Sequence, residues 1–199
     1  MPAPAFIIVR HGNTFEAGEP PRRIGARTDL PLTAAGTVQA HALGAHFAAQ
    51  GWHFARVLAS PLVRTRATAA AILSHLPASP QPEPCDWLRE IDHGPDEDMP
   101  EDVVLARIGT GALAAWDERA VAPPGWTVDA EARLAGWRAL FAQSEGPVLL
   151  VTSNGAARFA LMAAGLDAPG SLKLATGSYG AIRRSAGGAL DVAEWGRRP

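Results

Sequence analysis

Residues 6–14 read Phe6-Ile7-Ile8-Val9-Arg10-His11-Gly12-Asn13-Thr14. Four apolar residues, three of them β-branched, form a short unbroken run that predicts a buried central strand. The run stops at a cation and an imidazole, so both sit at the carboxyl end of that strand. Open α/β sheets bind their ligands at that end. Gly12 frees the backbone to turn away and to approach a bound group closely. Two readings follow for Arg10-His11-Gly12. One is an anion site holding a nucleophile; the other is a strand capped by ordinary polar turn residues.

The rest of the chain supplies the context. Thr33 is placed to cap a helix running to about Gln50. Arg56-Val57-Leu58-Ala59-Ser60 predicts a second short strand, and Pro61 fits the first turn of a helix reaching about Leu76. The proline-rich stretch 77–84 reads as a stiff surface crossing within one domain rather than a linker between two. Cys85 to Leu88 is a candidate third strand. Helices are expected over 101–120 and 128–144, split by Ala122-Pro123-Pro124-Gly125. Val148 to Thr152 repeats the opening pattern, ends in Ser153-Asn154-Gly155 and leads into a helix to about Ala164. The tail, 178–195, suggests two edge strands joined at Gly187-Gly188. Such alternation implies a mostly parallel sheet covered on both faces, built as one domain over residues 1–199.

Composition narrows the function. The 199 residues are 47% hydrophobic and 19% charged, with a formal net charge of −2. That balance gives no reason to expect nucleic acid or a membrane surface as partner, so any anion binding must come from local arginines. Cys85 is the one cysteine; it excludes an internal disulfide and reads as an inert thiol. Residues 1–5, Met-Pro-Ala-Pro-Ala, lack the basic and apolar regions of a signal peptide, and a cytoplasmic location is expected. No Gly-x-x-x-x-Gly-Lys-[Ser/Thr] loop and no Gly-x-Ser-x-Gly elbow occurs. His41, His46, His53 and His75 form no ligand set. The acidic stretch Asp96, Glu97, Asp98, Glu101 and Asp102 lacks the spacing of a calcium loop and suits a helix start better. No metal and no cofactor is expected. Trp116, Trp126, Trp137 and Trp195 read as packing anchors.

Four segments place reactive groups just after predicted strands: Arg10-His11, Ser60 to Ala69, Leu88 to Glu97, and Ser153-Asn154-Gly155. Arg10 and Arg64 offer forks of donors that match phosphate oxygens and remain charged. A neutral imidazole attacks phosphorus to give a phosphohistidine, provided its other nitrogen is held by an acceptor such as a backbone carbonyl. The leaving oxygen needs a proton, for which Glu90 is the candidate. A dry cleft would raise its pKa while the arginines oppose that.

Arg10-His11-Gly12-Asn13-Thr14, with Arg27-Thr28-Asp29-Leu30-Pro31-Leu32-Thr33 and Gly36, resembles the opening of the histidine phosphatase family, which includes phosphoglycerate mutases. Ser60-Pro61-Leu62-Val63-Arg64-Thr65-Arg66-Ala67-Thr68-Ala69 resembles its second signature, and Leu88-Arg89-Glu90-Ile91-Asp92-His93-Gly94 its acid-bearing segment. The resemblance implies a three-layer α/β sandwich with a mostly parallel central sheet flanked by helices. It implies His11 as nucleophile, Arg10 and Arg64 as phosphate clamps, and Glu90 as proton donor. Gly12, Asn13, Thr14, Arg23, His93, Asn154 and Gly155 are the expected substrate contacts, with residues about 96–126 forming a lid. The family's usual second His-Gly pair is replaced by Asn154-Gly155. An amide still donates a hydrogen bond but carries no charge, so a slower enzyme is expected. His93 either restores some cationic character or is a plain loop histidine. Arg22, Arg23 and Arg27 either steer an anionic substrate or are simply solvated.

The leading expectation is therefore a metal-independent phosphomonoesterase acting on a small phosphorylated substrate. The alternatives are a catalytically weak phospho-ligand-binding or regulatory protein and, below it, a phosphoglycerate mutase. The longer insertions that enclose a mutase's bisphosphorylated intermediate do not fit a chain this short. A serine hydrolase is a remote third.

Overall fold

A computed structural model describes residues 5–143, 146–167 and 170–199. Residues 1–4, which carry the amino-terminal reading, and Ser144, the expected end of a helix, lie outside the described residues.

Six strands make one sheet: β1 (Ala5–Arg10), β2 (Arg56–Ala59), β3 (Glu83–Pro84), β4 (Val148–Thr152), β5 (Tyr179–Arg184) and β6 (Leu190–Arg197). Their order is β3-β2-β4-β1-β5-β6. The first four are mutually parallel, while β5 and β6 run antiparallel to their neighbours. Among the described residues, five α-helices cover the sheet: α1 (Ala34–Ala49), α2 (Val63–Leu73), α3 (Glu101–Arg119), α4 (Ala130–Gln143) and α5 (Asn154–Ala164).

The layering follows from strand alternation. Ile7 and Val9 of β1 and Leu149 and Val151 of β4 share one core with Leu43 and Phe47 of α1 and Ile72 of α2. Phe6, Ile8, Val148 and Leu150 point the other way, into a core with Trp116 of α3, Trp137 and Leu140 of α4, and Phe159 of α5. Strands buried on both faces read as continuous apolar runs, which is why β1 and β4 look alike in sequence. Each such side chain contributes about 1.5–3 kcal/mol on burial.

Three expectations need correction. The third strand is Glu83–Pro84, not 85–88; residues 86–88 form one tight helical turn. Pro84 is tolerated because β3 is the sheet edge, where no ladder N–H is needed on its outer side. Only β6 of the tail pair is an edge strand, since β5 is enclosed by β1 and β6. The 101–120 helix is interrupted at Gly109, whose φ of +79° is a conformation open to glycine.

The register of β1 and β4 positions the site. Arg10 pairs with Thr152, and the His11 N–H donates to the Thr152 carbonyl at 3.1 Å. One residue further, His11 and Ser153 stand side by side, and Asn154 opens α5.

Candidate active site

A cavity of about 330 Å³ opens at the carboxyl ends of β1 and β4. His11 lines it and is almost wholly buried. Its Nδ1 lies 2.7 Å from the carbonyl oxygen of Gly12, an acceptor that requires the proton to sit on Nδ1. Arg64 Nε donates to the other ring nitrogen, Nε2, at 3.2 Å, so Nε2 carries the lone pair. Burial, then the charges of Arg64 and Arg10, holds the His11 pKa well below the ordinary histidine value. His11 is thus a neutral imidazole in a cationic setting.

Arg64 is 0% exposed and does not line the cavity. Besides His11 it donates to the carbonyls of Thr28 (2.9 Å) and Gly25 (3.0 Å), with Asp29 at 3.5 Å. In this arrangement it holds the ring rather than offering an open fork. The residues that carry these carbonyls are themselves held by Glu97. One Glu97 oxygen accepts from the backbone N–H groups of Gly25, Arg27 and Thr28 at 2.9–3.0 Å and from the Thr28 hydroxyl. The other accepts from the His93 N–H at 3.1 Å. Burial tends to raise the Glu97 pKa, but its hydrogen bonds with His93 and Thr28 prevail and bring it to about 2.

Arg10 lines the cavity and donates to the Leu174 carbonyl at 2.6 Å. Leu174 N–H in turn donates to Asn154 Oδ1 at 3.0 Å. That bond leaves the Nδ2 donors as the remaining polar group of the Asn154 amide, and Asn154 lines the cavity. Ser153, beside His11, is wholly buried, and its hydroxyl has no partner.

Glu90 is buried at the cavity wall. Its carboxylate accepts from the N–H groups of Ile91 (2.9 Å) and Gly155 (3.1 Å). A Cβ at Gly155 would lie 2.1 Å from Glu90 Oε1, so only glycine allows this contact. Burial works to raise the Glu90 pKa. The His93 imidazole, the two N–H groups and Arg64 outweigh it and hold the pKa below the ordinary value. Of the two opposing effects expected at Glu90, the one that favours the carboxylate prevails. Two anchors fix the segment that carries Glu90. The Thr152 hydroxyl donates to the Leu88 carbonyl at 2.6 Å, and buried Arg133 of α4 donates to the carbonyls of Trp87 (2.9 Å), Arg89 (2.5 Å) and Val128 (2.6 Å).

Of the remaining expected contacts, Asn13, Thr14, Arg23, His93 and Gly155 line the cavity. Gly12 does not. A Cβ there would lie 2.2 Å from the Gly36 carbonyl oxygen, so the close approach it permits is to α1 rather than to a ligand. His93 is buried, edge-on to Trp126 at 4.6 Å, with Nδ1 3.5 Å from Glu97. Arg27 pairs with Asp92 at 3.0 Å and Arg22 with Asp98 at 2.7 Å. Trp126 is a packing residue whose Nε1–H donates to Asp96 at 2.6 Å. Cys85 is buried, and burial pushes its thiol up to about 11. Among the described residues, no group of three His, Cys, Asp or Glu side chains is placed to hold a metal.

Four participants escape the sequence reading: Arg158, Trp116 and Thr176, which line the cavity, and Arg133 behind it. Thr176 donates to the side-chain oxygen of Asn13. A buried arginine on a helix leaves no local signature. Only its four-residue spacing from Asn154 hinted that Arg158 shares that face of α5.

A family model described as histidine phosphatase superfamily (branch 1) matches residues 6–195. The chain belongs to the histidine phosphatase superfamily. Three solved structures share the fold. A mycobacterial glucosyl-3-phosphoglycerate phosphatase superposes with a TM-score of 0.79 at 20% identity, covering 98% of this chain and 99% of that one. YhfR of Bacillus stearothermophilus gives 0.76 at 24% identity, covering 99% and 98%. A Thermus thermophilus protein gives 0.65 at 28% identity, covering 94% and 97%. No curated protein sequence matches the chain. This histidine phosphatase chain has no helix among its described residues that is long and apolar enough to cross a membrane.

Proposed function

We propose that the protein is a metal-independent phosphatase that hydrolyses a small phosphomonoester through a phosphohistidine on His11. The observation that carries this reading is the fixed tautomer of His11: Nδ1–H on the Gly12 carbonyl, and a lone pair on Nε2 under a guanidinium. Nε2 attacks phosphorus and a P–N bond forms as the bond to the substrate oxygen breaks. That oxygen leaves with a proton from Glu90. Water then attacks the phosphohistidine, gives its proton to Glu90 carboxylate, and orthophosphate departs from a restored imidazole.

The donors around Glu90 favour its carboxylate form, so it must gain a proton before the first step. A phosphate dianion entering beside it raises its proton affinity, because a like charge disfavours the carboxylate. Arg10 and the Nδ2 group of Asn154 supply donors to the phosphoryl oxygens; the Arg64 Nε–H releases Nε2 as that lone pair turns to phosphorus, while Arg64 stays anchored on the Thr28 and Gly25 carbonyls. Glu101 and Trp116 line the cavity from the segment 96–126, which serves as the cover over it.

A second reading, a phospho-ligand-binding protein with little turnover, is favoured by one observation. Ser153, which follows β4, has an unpartnered hydroxyl, and Asn154 after it brings a neutral amide rather than an imidazole to the cavity. One experiment separates the two readings: hydrolysis of p-nitrophenyl phosphate with and without chelator, in wild type and His11→Ala. Turnover that survives the chelator, acid-labile phosphate on the quenched wild type and loss of both in the variant support the phosphatase. Phosphate-competitive binding with no turnover and no phosphoenzyme supports the binding protein.

A further inference from the structure

Three guanidinium Nε groups, those of Arg10, Arg23 and Arg158, are buried without a hydrogen-bond partner. All three arginines line the same cavity. A buried, unsatisfied donor is costly, more so when charged, so three around one space need an explanation. The phosphoryl site at His11 accounts for Arg10. It does not account for the other two.

Arg158 is 1% exposed and lies on the second turn of α5, about 6 Å along the axis from Asn154. Its guanidinium lies over the Trp116 ring at 4.1 Å and donates to the Trp116 carbonyl at 2.5 Å. No carboxylate pairs with it among the described residues; Asp117, next to Trp116, pairs with Lys173 at 2.6 Å instead. Arg23 lies 5.3 Å from the centre of the Trp126 ring, which meets Trp116 edge-on at 5.5 Å, and it is paired with Glu101. Two arginines on two touching tryptophans thus form one wall. Burial lowers the Arg158 pKa to about 10, which leaves it charged at neutral pH.

We propose that Arg158, flanked by Arg23, forms a second anion subsite, so that the substrate is a phosphomonoester bearing a further anionic group, carboxylate or phosphate, away from the scissile bond. This rests on the phosphatase reading for its catalytic half. Planar guanidinium stacked on an aromatic face keeps its edge donors for such a group.

The test compares kcat/KM for phosphoglycolate, ethane-1,2-diyl bisphosphate and 2-hydroxyethyl phosphate. Wild type should favour an anionic-ended substrate over the hydroxyl-ended one by about 10- to 100-fold, the range for charge-assisted hydrogen bonds. The first two arms show whether the group is carboxylate or phosphate. Arg158→Gln should bring the ratio close to one, and Arg158→Lys should leave it intermediate. A wild-type ratio near one overturns the proposal, as does a ratio unchanged in Arg158→Gln because all substrates suffer equally. Should Arg158→Gln fail to fold, the wild-type ratio and that of Arg23→Gln decide. Calorimetric binding of 3-phosphonopropionate against propylphosphonate needs no turnover. If no substrate is hydrolysed, the phosphatase reading fails. Tighter binding of the carboxylated phosphonate by tenfold or more still upholds the subsite, and equal binding overturns it.

Discussion

The ends of β1 and β4 are neighbours with the same build and different work. Both strands are apolar, buried on both faces, paired over five residues, and followed by three polar or small residues. At the end of β1 a side chain reaches the cavity as a neutral imidazole. At the end of β4 the buried Ser153 contributes no side-chain hydrogen bond. The next two residues hold other parts in place: Asn154 ties the Leu174 loop and the Gly155 N–H ties Glu90. The proposed nucleophile follows one strand, and the frame that holds its proposed partners follows the other. The positive charge that the β4 turn lacks appears one helical turn later, on Arg158.

Breaking the comparison outright means making β1 end as β4 does. His11→Asn should lower kcat by at least ~10³-fold, since it removes the nucleophile and leaves only binding contributions; single-turnover assays with phosphoenzyme trapping would show it. Acting on the β4 side should do less. Gly155→Ala drives a methyl into Glu90 Oε1, and a loss of roughly 10- to 100-fold is expected in kcat with little change in KM. A larger rise in KM than fall in kcat would show that Gly155 touches substrate instead. Arg133→Met leaves three carbonyls, one in a buried contact and two in part-buried ones, without their donor and loosens the segment bearing Glu90. A loss of about 2 kcal/mol in urea unfolding is expected, with only a few-fold drop in kcat. The mildest effect concerns acid. The folded state holds Glu97 near 2, below its unfolded value, so its stabilisation is present above about pH 4.5 and fades as pH falls toward 2. Glu97→Gln should therefore flatten the acid limb of a stability-against-pH curve; an unchanged limb would remove Glu97 from that account.

The two central strands are legible because complete burial of both faces writes an unbroken apolar run. His11 and Asn154 are legible because polar residues just past an apolar strand mark the crevice of an open sheet; Glu90 follows a helical turn instead and is legible through the resemblance of its segment. Arg133 and Arg158 are not. Arginine on a helix ordinarily faces water; here Trp116 of α3 covers the Arg158 guanidinium, and the carbonyls of Trp87, Arg89 and Val128 take up that of Arg133. Glu97 hides for a similar reason: within a run of acids it looks like charge at a helix start. It is in fact the acceptor for a loop some seventy residues earlier. The short β3 hides behind prolines, which argue against a strand until its place at the sheet edge is known.

The contact between Gly12 and Gly36 has an effect on variation. A Cβ at either would fall about 2 Å from the backbone of the other's segment: 2.2 Å from the Gly36 oxygen, or 2.1 Å from that of Asn13. Whichever position acquired a side chain first would push α1 away from the nucleophile turn and make room for the second. The two losses are then strongly non-additive. In a library randomised at both sites, most survivors should keep both glycines. Chains that lost one should tolerate losing the other, so these positions behave as a single heritable unit.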